Sequence, residues 1–234
     1  MNKRKGWIIF FLITGFFLFM SFMFVLGIKM AFEDKPIVKK DTILQLNLVG
    51  TITEHYPQDA FSKEFEGANM QLHDIRQALE MAELDNRVRG VFMRIAFPGL
   101  GWAMAREIRD ELLKFKESGK FVTAYLDYCN EQGYFIGLAA DEIYLQPHSI
   151  TELNGFKSEI PFIKRMFNKL GIAAQVINIG KYKNAGDIYN HESMSPEQRE
   201  STEAILNAVY ENFVNTVSEQ RQIERSAFEN LLQQ

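Results

Sequence analysis

Two lysines close together, Lys181 and Lys183 in Gly180-Lys181-Tyr182-Lys183-Asn184-Ala185, follow directly on the apolar run Val176–Ile179. A lysine carried to the end of a buried strand loses solvation, and its neutral amine can then serve as a general base. The same pair also suits a solvated loop. In an extended segment both side chains point the same way, whereas a turn after Gly180 separates them, so the pattern leaves open which one acts. A second stretch, Asn130-Glu131-Gln132-Gly133-Tyr134-Phe135, reads as a strand-to-helix corner of the kind that displays a nucleophile. No serine or threonine stands in it. Cys129 ends the strand, and Glu131 takes the exposed position, where a carboxylate interacts with the helix dipole. The third stretch is Phe97-Pro98-Gly99-Leu100-Gly101. Its glycines let backbone N–H groups face an anion or a carbonyl oxygen, or simply make a tight turn.

Other chemistries lack their residues. The chain contains no HExxH, GxGxxG, Walker loop or GxSxG. His55, His73, His148 and His191 are scattered, without a ligand partner three or four residues on, and Cys129 is the single cysteine. An intramolecular disulfide is therefore excluded, and neither a metal nor a cofactor is expected. The net charge of −4 gives no support for a nucleic-acid partner.

The elements that position these stretches alternate. Ile43–Ile52 has Leu44, Leu46 and Leu48 on one face, a period of two. Residues 53–70 read as an irregular loop. Gln71–Glu83 repeats Leu72, Ile75, Leu79 and Ala82 at helical spacing. Val88–Ala96 is a largely buried strand, followed by a helix with Trp102, Ala105, Ile108, Leu112 and Phe115 on one stripe and Gly119 as its stop. The unit recurs, with Phe121–Leu126 a strand, Gln132–Ala139 a short helix and Glu142–Leu145 another strand. Ser158 opens a helix that ends at Gly171, and Ile172–Ile179 reads as a further core strand. Ser195-Pro196-Glu197-Gln198 starts the last long helix with an N-cap serine and proline at its first position. Such alternation predicts a mainly parallel α/β sheet covered by helices.

Ahead of this domain, Trp7–Ile28 runs without a charge. As a helix it spans roughly 33 Å at ~1.5 Å per residue, against a hydrocarbon core of ~30 Å. A signal peptide has a shorter apolar region, about 7–15 residues, and a small-residue cleavage site; Lys29-Met30-Ala31-Phe32-Glu33-Asp34 offers none. Lys3, Arg4 and Lys5 precede the run, so the positive-inside rule places the N-terminus in the cytoplasm and the domain outside. The expected organisation is residues 1–6 cytoplasmic, 7–28 a transmembrane anchor, 29–41 a tether and 42–234 the α/β domain. In a bacterium that is a single-pass protein of the inner membrane with a periplasmic or extracellular domain.

From about residue 42 onward the chain resembles the N-terminal half of the long-form signal peptide peptidase A (protease IV) family. The resemblance is carried by Asp85-Asn86-Arg87-Val88-Arg89-Gly90-Val91, Phe115-Lys116-Glu117-Ser118-Gly119-Lys120 and Gln132-Gly133-Tyr134-Phe135. It continues through Leu138-Ala139-Ala140-Asp141-Glu142-Ile143-Tyr144-Leu145, Leu153-Asn154-Gly155-Phe156 and Gly180–Ala185 leading into Met194-Ser195-Pro196. It implies a Clp protease/crotonase-like spiral of strand-strand-helix units, preceded by one transmembrane helix. It also implies a serine peptidase with a Ser–Lys dyad, acting on signal peptides left in the membrane, with lysine from the first half and serine from the second. The family's lysine follows the tyrosine and so maps to Lys183. Where the nucleophile-bearing half has Ser-Gly-Gly-Tyr-Tyr, this chain has Glu131-Gln132-Gly133-Tyr134-Phe135; where that half has Ser-Pro-Gly-Gly, it has Phe97-Pro98-Gly99-Leu100. Both departures suit a base-supplying half. The chain is accordingly expected to be a fragment of a longer polypeptide or one whose partner half is encoded separately. Expected partners are peptide substrates, membrane lipid, a C-terminal peptidase half carrying the serine, and further copies in a homo-oligomer. A non-catalytic membrane-tethered scaffold of the same fold is the alternative. Crotonase-like thioester chemistry fits poorly, because such substrates are cytoplasmic and the domain is expected outside.

Overall fold

The structure, a computed structural model, describes residues 3–31, 37–54 and 70–232. It forms two compact units, Met1–Lys39 and Lys40–Gln234. The first unit contains helix α1 (Lys3–Ala31). Its described side chains, Trp7 and those of 10–25, are exposed, and Thr14 Oγ1 donates to the Phe10 carbonyl at 2.9 Å, so its hydroxyl is satisfied within the helix. Among the described residues no helix is long and apolar enough to cross a membrane.

The second unit is built on a five-stranded sheet in the order β2-β1-β3-β4-β5, with every pairing parallel. The strands are β1 (Thr42–Thr53), β2 (Met70–Gln71), β3 (Val88–Gly99), β4 (Phe121–Tyr128) and β5 (Glu142–Leu145). Between them run α2 (Leu72–Leu84), α3 (Trp102–Glu117) and α4 (Glu131–Gly137). Four shorter or later helices follow: α5 (Lys164–Lys169), α6 (Asp187–Asn190), α7 (Pro196–Arg221) and α8 (Arg225–Leu232). The alternating parallel α/β architecture expected from the sequence is present.

The apolar stripes predicted for α2 and α3 are the buried ones: Leu72, Ile75, Leu79 and Ala82, then Ala105, Ile108, Leu112 and Phe115. They meet a sheet face made of Leu46, Leu48, Val91, Met93, Ile95, Val122, Ala124 and Leu126, all buried. Lys120 Nζ closes the start of β4 onto the end of α2, donating to the carbonyls of Ala82, Glu83 and Asp85 at 2.6, 2.8 and 2.9 Å. A cation there satisfies the orphan acceptors of a helix C-terminus. Edge-to-face rings join the later helices to this core. Trp102 lies 5.7 Å from Phe135, 5.2 Å from Phe156 and 6.0 Å from Phe213, and Phe213 lies 6.0 Å from Phe228.

Three expectations need correction. The sheet keeps a polar face: Gln45 donates to Asn47, Arg94 pairs with Asp127, and Gln45, Asn47 and Arg94 are exposed. Residues 172–179 are not a strand. They form an irregular segment in which Ile177 and Ile179 are 91% and 88% exposed. Val176 packs on the Gly186 backbone, and the Ile172 N–H donates to Phe167 O at the end of α5 rather than to a ladder. The helix expected from Ser158 begins later, at Lys164, and ends before Gly171, whose φ is +69°. Most of the loop expected over 53–70, with His55, lies outside the described residues.

The short helix α4 is the element the core can least do without. Phe135 is 2% exposed beneath it, with the Arg109 guanidinium 5.3 Å above its ring. Phe135→Ala is expected to cost about 3–5 kcal/mol, read as a lower urea midpoint. Cys129 reports the same loss. Burial, with the charge of Glu131 adding to it, pushes its thiol up to about 12. Thiolate is therefore scarce at pH 8, and a thiol reagent should label the folded chain slowly and the Phe135→Ala variant markedly faster.

Candidate functional site

At the corner between β4 and α4 the side chains of Asn130 and Glu131 are engaged in structure. Asn130 Oδ1 accepts from the Gly133 N–H at 2.9 Å and so caps α4. Glu131 Oε1 accepts from the Asn154 N–H at 2.8 Å, which fastens the helix start to the 152–156 stretch. Beside it the chain makes one parallel bridge, Cys129 with Thr151; the Cys129 N–H donates to Ile150 O and the Glu152 N–H to Cys129 O. The carboxylate expected only to face the helix dipole thus also holds a neighbouring segment. Cys129, buried and with its thiol raised, is no nucleophile.

The Phe97–Gly101 stretch lies against this corner. A Cβ on Gly133 would stand 3.2 Å from Pro98 Cδ, and the Phe97 ring lies 5.7 Å from that of Tyr128. The sequence suggests an open glycine turn after Ala96. Instead β3 continues to Gly99, pairing Pro98 with Gly50 and Gly99 with Thr51 after a bulge that leaves Phe97 of β3 without a partner in β1. The left-handed backbone falls on Phe97, at φ 49°, and not on a glycine. Gly99 is part of a ladder here, so the stretch begins as a strand end rather than as an open turn.

The lysine turn sets the two lysines in different surroundings. The chain reverses at Gly180, whose φ is +114°, and the Lys183 N–H donates back to Gly180 O at 3.3 Å. The two lysines part there. Lys181 Nζ donates to Tyr182 Oη at 3.3 Å, sits 5.0 Å over the Tyr182 ring and lies 3.8 Å from Glu200 of α7, to which Tyr182 Oη also donates at 3.1 Å. The hydrogen bond to Tyr182, then the charge of Glu200, holds its ammonium above the usual lysine range. A lysine so placed is a poorer base. Lys183 is different. Among the described residues no carboxylate lies within ion-pair reach of it, and no acceptor takes a hydrogen bond from its Nζ. Both lysines are exposed, so the half-buried setting expected from the apolar run is not provided by the described residues.

Two of the three stretches are therefore brought together, the corner and the Phe97–Gly101 stretch, while no described contact joins them to the lysine turn. The sequence gives no signal for Asp187, a buried carboxylate just beyond that turn, or for the bond that Ser195 Oγ donates to it. Among the described residues no group of three His, Cys, Asp or Glu side chains could hold a metal ion.

Comparison with known proteins places this geometry in a family. A chloroplastic serine protease SPPA of Arabidopsis thaliana is 32% identical over 197 residues, which is 84% of this chain and 28% of that protein. Protease 4 of Haemophilus influenzae is 29% identical, matching 78% of this chain and 31% of its own length. A putative signal peptide peptidase SppA of Enterococcus faecium is 25% identical, over 81% of this chain and 54% of its own. The chain thus spans about a quarter to a third of the length of the first two relatives. Residues 114–234, which carry the α4 corner and the lysine turn but not the Phe97–Gly101 stretch, match peptidase family S49. The chain belongs to peptidase family S49.

Proposed function

We propose that the chain is the base-supplying half of a membrane-anchored serine endopeptidase of the signal peptide peptidase type. Lys183 is its general base, and the nucleophilic serine comes from a second peptidase half. The observation that carries this reading is the contrast within the turn, where Lys181 is held by Tyr182 and Glu200 while Lys183 has no described partner. In the reaction, neutral Nζ of Lys183 takes the proton of the serine hydroxyl as its oxygen attacks a peptide carbonyl. The proton then passes to the leaving amine, and water later releases the acyl group, again giving its proton to the lysine.

A lysine is neutral near pH 7 only when its ammonium is desolvated. Lys183 is exposed, so in this reading the serine-bearing half buries it. The exposed Ile177 and Ile179 just before the turn offer that half an apolar contact. Relatives named as signal peptide peptidases support signal peptides as the substrate class, with the Clp protease/crotonase-like spiral as the fold and self-association into an oligomer as part of the same reading. The uncharged run Trp7–Ile28 within α1 is the proposed anchor, with the basic residues Lys3, Arg4 and Lys5 on the cytoplasmic side.

Alone, the 234-residue chain is expected not to hydrolyse peptides or to take a fluorophosphonate label. Combined with a serine-bearing half, Lys183→Ala should lower turnover by about 10²–10⁴, the usual worth of a general base, while Lys181→Ala stays within a few-fold. Lys183→Arg should fail as badly as alanine, because guanidinium does not release its proton. Near-normal turnover by Lys183→Arg would make residue 183 a structural cation.

The anchor has its own measurement. Protease added outside spheroplasts should remove the domain and leave a small membrane-bound stub. A soluble protein beginning near Met30 would identify a cleaved signal peptide instead.

A further inference from the structure

Among the described residues, one carboxylate lies in the core: Asp187, 4% exposed. Burying a charge is costly unless it is well paired, and Asp187 is paired sparsely. Asn178 Nδ2 donates to its Oδ1 at 3.4 Å, Ser195 Oγ donates to its Oδ2 at 3.3 Å, and His191 Nδ1 lies 3.8 Å away. An apolar side chain would pack there at less cost. The carboxylate is explained better by what its donors belong to. Asn178 stands on the segment that enters the lysine turn, and Ser195 is the N-cap of α7, the helix that follows it. The same hydroxyl that donates to Asp187 accepts from the Gln198 N–H at 3.2 Å, so the clasp is continuous with the helix start.

Backbone packing closes the same neck. A Cβ on Gly186 would stand 2.2 Å from Val176 Cγ1, so these two positions touch across the base of the loop only because residue 186 is glycine. The Asp187 N–H donates to Asn184 O at 3.0 Å. Lys183 is thus carried on a loop pinned at its neck by Val176 against Gly186 and by Asn178 with Asp187, and pinned to α7 by Ser195. A base must sit within hydrogen-bond reach of the hydroxyl it deprotonates, and sites that hold such geometry lock the supporting shell.

We propose that Asp187 is the positioning residue of the lysine loop: its buried carboxylate clasps Asn178 and Ser195, and so fixes where Lys183 presents its amine. The inference rests on Lys183 being the base, but its first readout does not.

On the full chain in detergent, amine acylation at Lys181 and Lys183 and amide exchange over 180–186 are followed by mass spectrometry. Lys183 should acylate about two- to tenfold faster than Lys181, the range one hydrogen bond on Lys181 accounts for. In Asp187→Ala that ratio should fall toward one, and exchange should rise by about tenfold or more as the loop opens locally. Asp187→Asn keeps an acceptor for Ser195 and should hold both readouts within about twofold of the native chain, given the modest worth of each bond. If Asp187→Ala does not fold, Asn178→Ala carries the experiment, since Asn178 lies outside the core and its loss cuts one arm of the clasp. Unchanged labelling and exchange in the folded variants would overturn the proposal. With the serine-bearing half present, Asp187→Ala should lower kcat by about 10- to 100-fold through misplacement of the base, with KM little changed and most of the loss restored by asparagine. Should Lys183→Ala prove active, the base reading falls while the labelling result still decides the clasp.

Discussion

The approach of α4 to the end of β3 is the contact on which the rest of the domain depends. At Gly133 a Cβ would come within 3.0 Å of Ile95 Cγ2 and 3.1 Å of Cys129 Sγ. Such an approach would make the neighbouring side chains give by a few tenths of an ångström, which a packed interior resists. With no side chain there, α4 settles onto the sheet and sends Phe135 and Ile136 into the core. Phe135 meets Trp102, and Trp102 meets Phe156 and Phe213. Phe213 belongs to α7, whose first turn holds Ser195 against Asp187. One missing methyl group thus begins a packed path that ends at the lysine loop.

The β4–α4 corner and the lysine loop treat polar groups in opposite ways. At the α4 corner, Asn130 and Glu131 accept from backbone amides of Gly133 and Asn154. Such charge-assisted or capping bonds stabilise the corner. They also commit the side chains of Asn130 and Glu131 to structure. In the lysine loop the engaged cation is Lys181, and the result is to hold its neighbour apart. Because Tyr182 bonds both Lys181 and Glu200, the carboxylate nearest the turn is already committed. Lys183 is spared an ion pair that would fix its positive charge.

Local chemistry made much of this readable from the chain. The stripes of α2 and α3 follow helical periodicity and are buried as read, and Ser195-Pro196 starts α7 as its cap chemistry requires. What escaped is set by tertiary context. The run 172–179 has the apolar, β-branched look of a strand, but a strand needs a ladder partner, and hydropathy cannot report one. Phe97 takes a left-handed backbone that glycine would be expected to hold, because it is the extra residue of a bulge in β3 past which the ladder runs on to Gly99. Spacing could not tell the surroundings of Lys181 from those of Lys183, since the difference depends on Glu200 reaching back from α7. Asp187 is silent in sequence for the same reason: a carboxylate in a loop reads as solvated until its donors converge on it.

This packing bears on whether one domain could hold both members of a Ser–Lys pair. A serine at position 131 would have too short a side chain to replace the carboxylate that meets the Asn154 N–H, so the tie from the helix start to the 152–156 stretch would be lost. The neighbouring Phe97–Gly99 stretch is drawn into pairing with β1, and its left-handed backbone stands at Phe97 and not at a glycine. Catalysis of acyl transfer needs donors aimed where negative charge develops, in addition to a base. In the proposed division of labour these requirements fall to another half, whose corner need not hold a neighbouring segment in place. The domain described here is then free to use its corner as structure and its lysine loop as the reactive edge.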